Sequence, residues 1–135
     1  MALDIGEKRV GVAVSDSRES IASAISVENA VDVEQCNRRF KELLDRWEVE
    51  KLIVGLPKSL NGKEGTQADR IREIAERIAL KCELDLEFVD ERLSSKEAKV
   101  YMHECGMSEK DMRGKIDMIA AQIFLQTYLD KKRTS

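Results

Sequence analysis

The stretch that decides the fold runs from Ala2 to Ser15 and reads Ala-Leu-Asp-Ile-Gly-Glu-Lys-Arg-Val-Gly-Val-Ala-Val-Ser. Two short runs of small and β-branched residues flank a tight Gly6-Glu7-Lys8 turn, which predicts a β-hairpin. A carboxylate, Asp4, stands inside the first of these runs. Because an unpaired buried charge is costly, such a residue tends to have a partner or a metal ion. Asp4 is therefore the first candidate functional residue, although an acid beside a glycine turn is also common in ordinary turns.

The rest of the composition indicates a single globular domain over residues 1–135, with 42% hydrophobic and 36% charged residues. There is no apolar run long enough to span a bilayer and no export leader, so we expect a cytoplasmic protein. The net charge of −3 argues against a surface that is basic overall and binds nucleic acid everywhere, but it is compatible with a local basic site. The cysteines are odd in number and widely spaced, so we expect reduced, buried thiols.

Further strands and helices follow the hairpin. Strands are expected at residues 21–27, 51–55 and 84–89, because these runs are apolar or β-branched and end in turn residues. Apolar residues at helical spacing predict helices over 33–47, 66–82, 94–105 and 115–130, the second with Thr66 as its N-cap. The polar segment 107–114 is expected to be mobile. This order of elements predicts an α/β domain in which helices flank a mixed sheet of five strands.

Carboxylates from separate parts of the chain form the second candidate set. Asp4 lies in the first strand, Glu91 follows the fifth strand, and Asp117 stands at the edge of the apolar stripe of the last helix. If the first and fifth strands run parallel, Asp4 and Glu91 approach the same edge of the sheet. Converging carboxylates repel one another unless cations neutralise them, and Mg²⁺ suits carboxylate, water and phosphate oxygens. Two such ions could support phosphodiester cleavage, although scattered acids are more often solvated surface.

Basic residues lie close to these acids in the sequence. Lys8 and Arg9 are on the hairpin, Lys58 is on the loop after the fourth strand, and Arg92 adjoins Glu91. They could hold the phosphates on either side of a scissile bond, which is the salt-sensitive part of nucleic-acid binding. We therefore predict a nucleic-acid-binding role for these four basic residues.

Four motifs in this chain resemble those of the YqgF (RuvX) family. The stretch from Asp4 to Ala13 resembles its D-x-G-x-x-R-x-G-x-A opening, and Gly55-Leu56-Pro57 with Gly62 resembles its G-L-P-x-x-x-x-G segment. The segment 90–95 resembles its D-E-R-[FL]-[ST]-[ST] motif, and residues 115–129 resemble its closing K-x-D-x-x-A-A-x-x-x-L-Q-x-Y-L helix. The motifs occur in the family's order and span nearly the whole chain.

The resemblance implies a ribonuclease H-like fold with strand order 3-2-1-4-5. It also implies nuclease chemistry with Mg²⁺ or Mn²⁺, in which Asp4, Glu91 and Asp117 are both the catalytic residues and the metal ligands. Asp90 is a possible extra ligand, because a strand end can present either neighbour. Members of the family have been regarded as Holliday junction resolvases and as nucleases that mature pre-16S ribosomal RNA.

The sequence leaves several functions open. Maturation of the 5′ end of pre-16S rRNA comes first, ahead of cleavage of branched DNA. A protein with the same fold that binds nucleic acid without cleaving it is a second class. The hairpin also resembles the phosphate loop of actin-like ATPases, but those need two lobes and 135 residues supply one. A junction resolvase would require a two-fold dimer, whereas RNA trimming could be done by a monomer.

Overall fold

The computed structural model describes residues 1–57, 65–90 and 94–134, without the side chains of residues 94–97, 113 and 134. The strands in these ranges are β1 (Ala2–Ile5), β2 (Arg9–Ser15), β3 (Ala22–Asn29), β4 (Lys51–Leu56) and β5 (Asp85–Asp90). The helices are α1 (Ala30–Glu34), α2 (Arg38–Arg46), α3 (Thr66–Cys82), α4 (Ser94–Glu104) and α5 (Glu109–Thr134). None of the helices described is long and apolar enough to cross a bilayer.

The strands form one mixed sheet in the order β3-β2-β1-β4-β5, which confirms the predicted α/β architecture and strand order. The β1–β2 and β2–β3 pairs are antiparallel, whereas β4 runs parallel to both β1 and β5. The predicted hairpin is therefore the β1–β2 pair, and Gly6 N–H closes its turn on the Arg9 carbonyl at 2.9 Å. Because β1, β4 and β5 are parallel, their carboxyl ends meet at one edge of the sheet.

The two faces of the sheet are covered by different helices. On one face α1, α2 and α3 pack over large aliphatic side chains such as Leu3, Val10, Val12 and Val54. On the other face α5 packs over smaller residues, including Ala2, Ala13 and Ala22. The side chains of Phe124 and Leu125 on α5 belong to the same core. α4 in turn packs against α5. Side chains alternate between the faces along each strand, so residue parity decides which helix layer a strand residue meets.

The helix predicted over 33–47 is wrong, because the chain forms two helices there. Cys36 adopts a left-handed backbone with φ 50°, which ends the first helix. Asn37 then caps α2, its Oδ1 accepting a hydrogen bond from Phe40 N–H at 3.0 Å. Phe40 is buried as predicted, but Trp47 at the end of α2 is 43% exposed.

Two predicted helix starts also differ from the structure. The N-cap of α3 is Gly65, without a side-chain cap, and Thr66 is already helical. The segment 107–114, predicted to be mobile, instead belongs largely to α5. The hydroxyl of Ser108 accepts from Asp111 N–H at 3.2 Å and donates to its carboxylate at 2.9 Å, which starts the helix six residues before the predicted position.

The prediction of reduced cysteines is wrong, although Cys36 is buried as expected. Cys36 and Cys82 form a disulfide, with their Cα atoms 6.6 Å apart, and Cys105 is an exposed free thiol. The bridge joins the residues that follow α1 to the end of α3. Two further contacts lie beside it, because Lys81 Nζ donates to the Glu34 carbonyl at 3.4 Å and Arg77 lies 3.9 Å from the Glu34 carboxylate.

Candidate functional site

Asp4 lies on the α5 side of the sheet. It is two residues from Ala2, which belongs to the α5-side core, and alternation along the strand places both side chains on that face. Its cross-strand partner in the β1–β2 pair is Gly11. Because residues directly opposite in an antiparallel pair share a face, the side chain of Asp4 and the bare Cα of Gly11 are neighbours.

Gly11 is the point at which α5 comes closest to the sheet. A Cβ atom at this position would collide with the backbone carbonyl of Asp117 and with the amide nitrogen of Met118. Only glycine permits such an approach between a strand and a helix backbone. Since Asp4 faces Gly11 from one side and Asp117 covers it from above, Gly11 brings two of the predicted site carboxylates onto one small area of the α5 face.

Arg9 supplies the positive charge at this position. It lies two residues before Gly11 on β2, so it shares the same face and is diagonal to Asp4 across the hairpin. Its Nε atom is 3.9 Å from Oδ2 of Asp117. The Arg9 side chain is 56% exposed and that of Asp117 is 30% exposed. The pair is thus open to solvent on the arginine side.

Burial shifts the pKa of the Asp117 carboxyl. Desolvation raises the pKa of its carboxyl above the ordinary value, and the charge of Arg9 opposes this rise without cancelling it. A half-buried carboxylate of this kind gains from further positive charge. The oxygen donors of Asp4 and Asp117 are those that a hard divalent cation prefers, so the described residues fit such an ion.

The remaining predicted site residues fall into two groups. Glu91, Arg92 and Lys58 lie outside the described residues. Lys8 is exposed in the hairpin turn, where its carbonyl accepts a hydrogen bond from Ala30 N–H at 2.9 Å and ties the hairpin to α1.

The end of β5 belongs to the same edge of the sheet. Asp90 is the last residue of β5, is exposed and pairs in register with Leu56 at the end of β4. Within the described ranges no cluster of three or more histidine, cysteine or acidic side chains is close enough to hold a metal ion. Of the predicted catalytic carboxylates Asp4, Glu91 and Asp117, the described residues include Asp4 and Asp117.

The contact between Gly11 and Asp117, which brings predicted site residues together, was not predicted from the sequence. A glycine in the middle of an otherwise β-branched strand can mark a close backbone approach, so Gly11 did carry a signal. The signal does not name the partner, because α5 is far away in the sequence. The Arg9–Asp117 pair depends on the same contact and was likewise not predicted.

The comparisons with known proteins identify the family of this chain. A family model described as RuvX, Holliday junction resolvase, matches residues 1–131. The chain belongs to the RuvX family. Members of this family are nucleases, so the chain is a hydrolase of phosphodiester bonds. The resemblance of its motifs to those of the YqgF (RuvX) family is confirmed.

Among curated relatives, a protein of Natranaerobius thermophilus is 38% identical over 132 residues, covering 98% of this chain and 94% of the relative. A protein of Chloroflexus aurantiacus is 34% identical over 135 residues, covering all of this chain and 88% of the relative. Both carry the name "Putative pre-16S rRNA nuclease".

Solved structures share the fold at low sequence identity. Thermus thermophilus RuvC in complex with a Holliday junction substrate has a TM-score of 0.53 at 14% identity, covering 97% of this chain and 92% of that one. The fowlpox virus resolvase, solved with Holliday junction DNA, has a TM-score of 0.53 at 16% identity, covering 96% and 95%. The likeness to these resolvases confirms the ribonuclease H-like fold class.

Proposed function

We propose that this protein is a divalent-metal-dependent endonuclease for structured nucleic acid, and that its substrate is the 5′ end of pre-16S rRNA. The observation that carries the proposal is the placement of Asp4 and Asp117 on one face beside Gly11, in a chain of the RuvX family. Carboxylates from distant parts of a chain that lie near one another on one face repel each other, and a shared cation would relieve that repulsion.

Asp4, Glu91 and Asp117 are the proposed catalytic residues and metal ligands, for Mg²⁺ or Mn²⁺. When bound, a pair of such ions polarises the scissile phosphate and lowers the pKa of a water molecule. Asp117 is suited to a ligand role because its backbone lies directly against β2 at Gly11, which fixes where its side chain starts. Glu91 enters the proposal through its place directly after β5, whose carboxyl end lies at the same edge of the sheet as that of β1.

The chain's basic residues would position the nucleic acid. Arg9 lies beside the two carboxylates, and its exposed guanidinium can bind a phosphate in a bidentate manner. Lys8 is exposed on the adjoining turn. Lys58 and Arg92 complete the proposed nucleic-acid-binding set on the basis of sequence position and the family resemblance.

The choice of RNA as substrate rests on the names of the relatives, which describe pre-16S rRNA nucleases. Cleavage of Holliday junctions in DNA recombination and repair is the second candidate. It is favoured by the family description and by the junction-bound RuvC that shares the fold. Both candidates place the protein on structured nucleic acid, in ribosome biogenesis or in DNA processing.

We also propose that the chain acts as one ribonuclease H-like domain over residues 1–135, in the cytoplasm. The family match over residues 1–131 supports a single domain. As a monomer it would suit RNA trimming, and as a homodimer it would suit paired cuts in a junction.

The test is a cleavage assay that offers a pre-16S rRNA fragment and a four-way DNA junction side by side, in Mg²⁺ and in Mn²⁺. Asp4→Asn and Asp117→Asn remove one carboxylate charge each. Asp45→Asn is the matched control, because Asp45 is exposed on α2 over the other face of the sheet.

We expect the wild type and Asp45→Asn to cut RNA, and each site variant to lose about a hundredfold or more of the rate. Symmetric cuts in the junction alone would make the protein a resolvase. Equal activity in Asp117→Asn and wild type would contradict the proposed site. If the protein binds either nucleic acid but cleaves neither in Mg²⁺ or in Mn²⁺, it would instead be a nucleic-acid-binding module.

A further inference from the structure

Two of the arginine–carboxylate pairs among the described residues, Arg39–Glu28 and Arg9–Asp117, differ in kind. Arg39 Nε lies 2.6 Å from Oε1 of Glu28, and the Glu28 side chain is only 5% exposed. This is a short, charge-assisted hydrogen bond onto a buried group. Arg9 Nε lies 3.9 Å from Oδ2 of Asp117, beyond hydrogen-bond distance, and more than half of the Arg9 side chain is open to solvent. Both arginine side chains are more than half exposed, so the pairs differ in their distance and in the burial of the carboxylate. Arg39 is held by a short hydrogen bond, whereas no such bond holds Arg9 to Asp117.

The position of Arg9 gives it access to two partners. On its protein side lie Asp117 and, diagonally across the hairpin, Asp4. On its other side is solvent at the edge where the proposed nucleic acid would bind. A guanidinium is always charged and forms bidentate contacts with carboxylates and phosphates alike. Exchange from one to the other therefore requires only rotation of the side chain.

We propose that Arg9 is an exchangeable counterion of the site. In the free protein it compensates part of the charge of Asp117, and it moves to a phosphate of the nucleic acid once a divalent cation engages the carboxylates. This inference rests on the metal site proposed above. It adds that Arg9 opposes binding of the cation in the absence of nucleic acid and supports binding of nucleic acid in the presence of the cation.

Other roles for Arg9 give different results when its charge is removed. A purely phosphate-binding arginine would leave the cation affinity of the free protein unchanged. A structural arginine that orients Asp117 would weaken cation binding when lost. An exchangeable counterion does the opposite, because removing a positive charge next to the carboxylates makes the site more attractive to a cation. The sign of the change in cation affinity therefore separates the three roles.

The first experiment is a calorimetric titration of the full chain with Mn²⁺ alone. We expect Arg9→Gln to tighten Mn²⁺ binding by about threefold to tenfold. Arg9→Lys keeps the charge and should stay near the wild type. Arg38→Gln is the matched control, because Arg38 is 94% exposed on α2 and pairs with Glu42 one turn away. It removes the same charge on the opposite side of the sheet.

The second experiment measures binding of a labelled four-way DNA junction, first in EDTA and then in Mn²⁺, by stopped-flow fluorescence before cleavage develops. In EDTA, Arg9→Gln should bind nearly as well as the wild type, because Asp117 engages the arginine. In Mn²⁺ the variant should bind several-fold more weakly. The slope of its log affinity against log salt concentration should be smaller by about the amount that one phosphate contact contributes. Arg38→Gln should show neither change.

Unchanged or weaker Mn²⁺ binding in Arg9→Gln would overturn the exchange, while loss of Mn²⁺ binding in Asp117→Asn would still uphold the metal site. An equal loss of junction affinity in EDTA and in Mn²⁺ would also overturn it, and would leave Arg9 as a simple phosphate ligand. If Asp117→Asn binds Mn²⁺ as well as the wild type, the proposed metal site itself fails, and the exchange fails with it.

Discussion

The two faces of the sheet differ in composition and in what they contribute. Toward α1, α2 and α3 the strands present large aliphatic residues such as Leu3, Val10 and Val12, all fully buried. Toward α5 the same strands present Ala2 and Ala13 and, nearer the hairpin turn, Asp4, Gly11 and Arg9. Large apolar side chains contribute most of the free energy of burial, about 1.5–3 kcal/mol each. The first face therefore carries most of the stability, and the second holds the candidate site.

Small residues on the α5 face have a geometric role. They bring the helix axis close to the sheet, so that the backbone at Asp117 rests directly on Gly11. A bulkier face would bury more apolar area but would hold the helix further away. The α5 face therefore buries less apolar area than the other face, and in exchange it holds the backbone of Asp117 close against the sheet. This division can be tested one face at a time.

The largest expected effect on stability belongs to the disulfide on the α1–α3 side. Cys36 and Cys82 are separated by 46 positions, and a bridge closing a loop of this size stabilises by about 2–4 kcal/mol, chiefly through the unfolded chain. We expect the Cys36→Ser and Cys82→Ser double variant to lose that amount in urea unfolding. Cleavage per folded molecule should be unchanged, because the bridge joins helices on the far side of the sheet.

The matched control for the disulfide is Cys105→Ser, since Cys105 is an exposed free thiol. It should unfold like the wild type, and a reducing agent should lower the stability of both to that of the double variant. Loss of cleavage activity in the folded double variant would contradict the separation between the faces.

Gly11→Ala should have a smaller effect on stability and a larger one on function. The added methyl group would collide with the backbone of Asp117, so α5 must shift, at a cost of about 1–3 kcal/mol for overpacking. The shift moves Asp117 away from Asp4, and we expect cleavage to fall about a hundredfold or more. Urea unfolding and the cleavage rate of the folded fraction measure the two effects separately.

Gly114→Ala is the control on the same helix. A Cβ at Gly114 meets nothing within 4 Å, and alanine favours a helix interior by about 1 kcal/mol over glycine. This variant should be at least as stable as the wild type and fully active. If Gly11→Ala keeps wild-type activity, the close packing on β2 does not position Asp117.

Local patterns in the sequence predicted most of the elements. The hairpin follows from the glycine turn between β-branched runs, and β4 from the continuous apolar segment that ends at Pro57. The strand order came from the resemblance alone, because parallel pairing joins segments that are distant in sequence and carries no local signal. Asp4 and Asp117 were predicted as site residues from their local sequence. Asp4 is an acid within an apolar strand, and Asp117 is an acid at the edge of the apolar stripe of a helix.

The errors have the same physical origin. The polar segment 107–114 was expected to be mobile, but a single glycine at its end costs a helix only about 1 kcal/mol, and packing of the long α5 outweighs this cost. Helical spacing continued through Cys36 although Asn37 could cap a new helix there. The Cys36–Cys82 bridge and the contact between Gly11 and Asp117 both depend on which helices meet in space, and residue spacing within one segment does not contain that information.

The smallest expected effect is a gain of stability from Asp117→Asn. In the folded protein, burial raises the pKa of this carboxyl above its ordinary value, so the folded state binds the proton more tightly than the unfolded state. Stability therefore falls as the pH rises from the ordinary aspartate pKa through the raised one, and above both the ionised carboxylate destabilises the fold. Removing the charge should make Asp117→Asn slightly more stable than the wild type at neutral pH in EDTA. The difference should disappear as the pH falls below the ordinary aspartate pKa.

Thermal unfolding across this pH range, with Asp45→Asn as the exposed control, measures the effect. Mn²⁺ should reverse the order at neutral pH, because a ligand that binds only the folded state stabilises the wild type and not the variant. If Asp117→Asn is less stable than the wild type at neutral pH in EDTA, the carboxylate contributes to packing. The α5 face would then be a second source of stability. A gain that Mn²⁺ reverses would mean that this face retains a destabilising charge because the charge holds a cation.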